Sequence, residues 1–178
     1  MNELSGKVQT VLGPINPQEL GITMAHEHLV VDVECNFIMP EEATAKSMID
    51  VQVSKDNIRN ATKYWTTMKD NTHLYNEQKT IEEVYKYRLA GGDTIVDVTS
   101  IGIGRDPLAL ARISRATELN IIMGGSYYVP LSYPEDMDSK TEDSIYENIV
   151  EDIISGVKNT EIKTGVIGEI GNHSPMSN

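Results

Sequence analysis

Two of the chain's four histidines, His26 and His28, stand one residue apart in the run ITMAHEHLVVD. Alternate side chains of a strand share a face, and neutral imidazoles are common ligands of divalent metals, so the pair can reach one ion. An H-x-H pair by itself fits equally two polar residues satisfied at a strand end. Glu169 closes a second apolar run, TGVIGEIG. If Glu169 faces inward, so do Gly165 and Ile167, while Val166, Gly168 and Ile170 face the other layer. A carboxylate at the last inward position suits a metal bridge, and it suits equally an ion pair with a basic side chain. The other histidines carry less. His73 lies in a polar region without a partner motif and reads as a surface residue, and His173 sits in the loop after Glu169, where polar side chains usually solvate or cap. Cys35 reads as a small, partly buried residue without catalytic duty.

The elements that must position these residues alternate between two periodicities. KVQTVLGPI, closed by Gly13 and Pro14, predicts a small hairpin ahead of the histidine strand. A long polar region, residues 36–76, follows, with weak helical segments around Glu41 to Met48 and Asp56 to Lys69. TIEEVYKYRLAGGD then places Ile81, Val84, Tyr85, Arg88 and Leu89 at helical spacing, with Gly91 and Gly92 as the stop. TIVDVTS is a compact β-branched strand, and RDPLALARISRATEL is a helix with Asp106 at the N-cap and Pro107 at its first position. The strand NIIMGG comes next. A helix bearing Ile145, Ile149, Ile153 and Val157 on one face leads to the strand TGVIGEIG. This alternation implies βαβ units and a mainly parallel sheet, doubly wound or closed as a (β/α) barrel. In a barrel, both imidazoles point inward at the carboxyl end of their strand, where barrel enzymes place their chemistry.

Four stretches, TVLGPINPQELGITMAHEHL, GGDTIVDVTSIGIGRDP, IIMGGSYYVP and GVIGEIGNHSP, together resemble the phosphotriesterase-like branch of the amidohydrolase superfamily, in that family's order and over nearly the whole chain. The resemblance implies a (β/α)8 TIM barrel holding two divalent metal ions, most simply Zn2+, with Mn2+ or Co2+ as alternatives. It assigns His26 and His28 to one metal and a bridging group to the fourth strand, a carboxylated lysine in some members and a glutamate in others. This fourth strand offers Glu169 and no lysine within it; Lys163 lies before the strand, at the wrong end. The resemblance also brings a tyrosine after the third strand close to metals and substrate, which makes Tyr128 the substrate-binding candidate in preference to Tyr127. IGIGRDP departs from a dinucleotide fingerprint at Pro107, so Gly102 and Gly104 read as turn residues, with Arg105 helping to hold the loop.

A full barrel of this kind takes about 250 residues. Here 178 supply about four strand-helix units behind the hairpin, so residues 1–178 read as a single partial barrel domain that stops before the fifth strand. The family's two further histidine ligands and its acid-base aspartate, on later strands, have no counterpart, and no complete catalytic set is expected in this chain. For the whole enzyme, the resemblance implies hydrolysis of a small-molecule lactone, carboxylic ester or organophosphate triester by a hydroxide bridging the two metals. The alternative is an inactive half-barrel that binds metal or a complementary partner chain. Unpaired barrel edges invite homo-oligomers or similar association. A formal charge of −12 argues against nucleic acid and anionic membrane surfaces. One cysteine, no apolar leader and no membrane-length stretch point to a cytoplasmic protein.

Overall fold

A four-stranded parallel sheet organises residues 5–172, the part of the chain that the computed structural model describes. Strands β1 (Val8–Thr10) and β2 (Gly13–Ile15) form the expected antiparallel hairpin ahead of it, with Thr10 opposite Gly13. The Val11 amide donates to the Ile121 carbonyl over 2.8 Å, which fixes the hairpin across the amino-terminal edge of the sheet. Strand β3 (Thr23–Glu27) carries His26, and His28, expected on the same strand, follows just past its end. A long excursion follows, through β4 (Val31–Asp32), α1 (Ala43–Lys46), α2 (Ile58–Lys63) and β5 (His73–Leu74). Both helices are shorter than their sequence patterns suggest, because each buries a single alanine, Ala45 and Ala61. An amphipathic stripe that reaches no core supplies little to extend a helix.

The remaining elements are α3 (Glu77–Leu89), β6 (Thr94–Asp97), α4 (Pro107–Thr117), β7 (Asn120–Gly125), α5 (Glu142–Ile154) and β8 (Val166–Ile167), with sheet order β3-β6-β7-β8. All three strand pairings are parallel, as the alternation requires. In α4, Asp106 accepts from the Ala109 amide over 2.9 Å and Pro107 opens the helix, as the sequence predicts. The α3 stripe is narrower than expected. Thr80 and Val84 are buried while Tyr85 and Leu89 are 46% and 71% exposed, since the Thr80 hydroxyl donates to the Leu29 carbonyl and turns that face inward. Strand β7 runs as NIIMGG does, but β6 and β8 are shorter than TIVDVTS and TGVIGEIG.

Ile95, Leu110, Ile113, Leu119, Ile121 and Met123 form the core between the sheet and its helices, none more than 2% exposed. Burial of each stabilises the fold by roughly 1.5–3 kcal/mol. The edge β8 leaves Val166 and Ile167 exposed, and α5 buries none of its residues completely. Among the described residues, no helix is long and apolar enough to cross a membrane. One buried hydroxyl, Ser100 Oγ, lacks a hydrogen-bond partner among the described residues. Ser100→Ala should therefore leave stability unchanged or raise it by up to about 1 kcal/mol, because it removes a desolvated donor. The urea midpoint reads this directly; a loss larger than that gain would reveal a partner for the hydroxyl.

Candidate metal centre

Strand β3 pairs with β6 in register at Met24↔Ile95 and again at Glu27↔Asp97, with an irregularity between them. Such a slip re-aims side chains at a strand end. His26 and His28 come out with ring centroids 5.6 Å apart and planes at 75°. Both Nε2 atoms face one oxygen, Glu169 Oε2, at 3.6 Å from His26 and 3.1 Å from His28. The three ligand atoms all lie within 4.8 Å of one another. Zinc–nitrogen and zinc–oxygen bonds near 2.1 Å in a tetrahedral shell put neighbouring ligands roughly 3.4 Å apart. The two observed separations bracket that value, so the donor set fits a divalent ion. The His26 side chain is 61% exposed, against 28% for His28 and 27% for Glu169, which makes His26 the open side of the centre.

Glu169 arrives by passing over the backbone of its neighbours. The Gly168 amide donates to the Gly125 carbonyl over 2.8 Å and that of Glu169 to Val98 over 3.3 Å. A Cβ on Gly168 would stand 2.9 Å from both of those carbonyl oxygens, so only glycine lets the carboxylate in so close. Tyr128 follows β7, and its carbonyl accepts from the Gly171 amide over 2.9 Å. Burial pushes the Tyr128 hydroxyl pKa up, and the neighbouring negative charge of Glu169 pushes it further. Tyr127 points elsewhere: it is buried and meets Tyr133 edge-to-face at 6.3 Å.

Two polar residues behind His28 were not singled out by the sequence. His28 Nδ1 lies 2.9 Å from Thr99 Oγ1. Asp97, fully buried, accepts the Leu29 amide at Oδ2 over 2.7 Å and the Thr99 amide at Oδ1 over 3.1 Å. Burial raises the Asp97 pKa, and these bonds oppose the rise. The available signal was polar: an Asp and a Thr alternate inside an otherwise apolar strand run.

His73, expected as an isolated surface residue, is half-buried, sits opposite Asp32 in the β4–β5 ladder and stacks on Tyr75 at 5.1 Å. With Asp32 and Glu34 it forms a second close group of ligand-type atoms. The Asp32 carboxylate is already engaged, accepting from the Glu34 amide and the Tyr75 hydroxyl, and burial with that bond drives the Tyr75 pKa up to about 12. Cys35 is half-buried, and burial raises its thiol pKa. Gly102 and Gly104 are turn residues with φ of +90° and +89°, and Arg105 behind them is ion-paired to Asp152 over 2.9 Å. His173 lies outside the described residues.

This geometry can be set beside known proteins. N-acetyltaurine hydrolase of Tetraodon nigroviridis is 38% identical over 188 residues, covering 99% of this chain and 51% of that protein. The human protein of the same name is 33% identical over 183 residues, with the same coverage of both. The chain thus spans about half the length of the curated relatives it matches. The crystal structure of a resiniferatoxin-binding protein from Rhodobacter sphaeroides superposes with a TM-score of 0.94 at 36% identity, over 97% of this chain and 48% of that one. The phosphotriesterase homology protein of Escherichia coli, crystallised with phosphate in its active site, shares the fold with a TM-score of 0.65 at 21% identity, over 87% of this chain and 43% of that one. The sheet described above is therefore the amino-terminal half of a TIM-type barrel. Residues 6–178 match the sequence model of the Phosphotriesterase family, and the chain belongs to that family.

Proposed function

We propose that this chain forms the amino-terminal half of a metal-dependent hydrolase barrel acting on a small acyl or phosphoryl compound. The convergence of His26 Nε2 and His28 Nε2 on one Glu169 oxygen carries the reading. His26 and His28 would hold one divalent ion, Zn2+ most simply and Mn2+ or Co2+ otherwise, with Glu169 shared with a second. Bound there, such ions polarise a carbonyl or phosphoryl oxygen and acidify water. The chain's own groups do the rest on this side of the site. Glu169 brings negative charge between the two imidazoles, and no lysine in β8 is needed to supply it. Tyr128, whose hydroxyl neighbours Glu169, would turn its single O–H from that carboxylate to a substrate oxygen when substrate enters.

The names of the relatives widen the range of bonds. N-acetyltaurine is an amide, so a short-chain amide joins lactones, carboxylic esters and phosphotriesters as the candidate substrate. A cytoplasmic setting accompanies this reading, consistent with a single free thiol. A non-catalytic reading draws support from the exposed Ile22, Val166, Ile167 and Ile170, an apolar border suited to a complementary chain or a second copy. Metal content separates the residue roles. Ala at His26, His28 or Glu169 should each lower zinc retained after dialysis by more than roughly tenfold in apparent affinity, read by elemental analysis. Unchanged stoichiometry in all three variants ends the metal-centre reading.

A further inference from the structure

We propose that Thr99, backed by Asp97, is a positioning residue that holds the His28 ring with Nδ1 as hydrogen donor and Nε2 turned to the centre. The consequence for metal binding rests on the metal-centre reading above; the ring's orientation does not.

His28 Nε2 is the atom that faces Glu169, at 3.1 Å. An imidazole that offers the Nε2 lone pair to a cation keeps its hydrogen on Nδ1 and needs an acceptor there. Thr99 Oγ1, 2.9 Å away, is that neighbour, but a hydroxyl both donates and accepts, so its other partner decides the direction. The acceptor behind it is Asp97, whose Oδ1 takes the Thr99 backbone amide over 3.1 Å. Both of its oxygens already receive backbone hydrogens, from Leu29 and from Thr99 itself, which marks it as an acceptor on every side. The Thr99 side chain is close enough to this carboxylate to help hold its pKa down against burial. Its hydrogen therefore goes to Asp97, and its lone pair takes the Nδ1–H of His28.

The arrangement is rigid because Asp97 is fully buried and Thr99 is 1% exposed. The Leu29 amide belongs to the residue after His28, so one carboxylate fixes both the backbone that mounts the ring and the hydroxyl that orients it. His26 is 61% exposed and shows no such bond among the described residues. His28 is thus the pre-set ligand and His26 the adjustable one.

The test uses the 178-residue chain and two readouts. Thr99→Val keeps the volume and removes the hydroxyl, and Thr99→Ser keeps the hydroxyl. Zinc affinity, from competition with a chromogenic chelator, should fall roughly 10- to 100-fold in Thr99→Val and stay within about threefold in Thr99→Ser. Without metal, long-range 1H–15N spectra of histidine-labelled chain should show the His28 ring signals, assigned by their loss in His28→Ala, moved by Thr99→Val and restored by Thr99→Ser. Thr99→Ala replaces the valine variant if the latter does not fold. Wild-type zinc affinity without the hydroxyl would overturn the positioning role while leaving the metal centre standing. If the unaltered chain takes up no zinc, the metal-centre reading falls, and the spectra alone decide: His28 signals indifferent to Thr99→Val overturn the proposal.

Discussion

Arg105→Ala should destabilise the chain by roughly 3–5 kcal/mol, because it leaves Asp152 as an uncompensated charge in a nearly closed site. The guanidinium stands 2.9 Å from Asp152 Oδ2, with the two side chains 5% and 14% exposed. Its other arm donates to the Gly124 carbonyl at the end of β7. Helix α5 buries none of its residues completely, so this ion pair, with the Thr164 amide donating to the Asp152 carbonyl, is a principal polar tie between α5 and the rest of the fold. The loss should appear as a lower urea midpoint and as early hydrogen exchange confined to α5. A paired change, Arg105→Met with Asp152→Leu, should recover most of it, since well-packed apolar substitutes often match a buried ion pair. A single variant as stable as the original would mean that α5 is held by other contacts.

The other large effect concerns turnover. Residues 1–178 alone should hydrolyse N-acetyltaurine, lactones and phosphotriesters no faster than free zinc, manganese or cobalt does. Supplying the carboxyl-terminal half of a relative's barrel in trans should raise the rate by about 10²- to 10⁴-fold, the usual contribution of a positioned acid-base group. The reason is geometric: His26, His28 and Glu169 would wall only one side of the proposed centre, and the relatives matched are about twice as long. Taurine release and chromogenic ester cleavage measure both states, with solution mass recorded alongside. A stable monomer with metal-dependent turnover well above free metal would refute this expectation.

Much of the site was legible because its signals are local. His26 and His28 alternate in one run and Glu169 closes another; the structure ends the strands before His28 and Glu169, at Glu27 and Ile167, yet brings all three side chains together. Helix α4 was equally plain, with Asp106 and Pro107 in their capping places. The stretch from Asn36 to Asn76 was not. Its ladder is two residues long on each side, too short to show a period, and its partners, Asp32 and His73, meet only through tertiary pairing. The same holds for Thr99, whose part depends on a histidine 71 residues away, and for Tyr85 and Leu89, where the Thr80–Leu29 bond outweighs a helical stripe. Arg105 was read as a loop anchor, but its partner on α5 lay beyond any local pattern.

The spacing of these contacts along the chain also bears on the order in which the molecule assembles. Thr94 of β6 and Asn120 of β7 meet across 26 residues, whereas His28 and Thr99 meet across 71. Closing the longer loop costs roughly 1 kcal/mol more in chain entropy. The β6–α4–β7 segment is therefore expected to form first, with β3 docking onto it afterwards. His26 sits on that later strand and His28 directly after it, so the candidate centre should be completed near the end of folding and be among the first features given up when the chain begins to open.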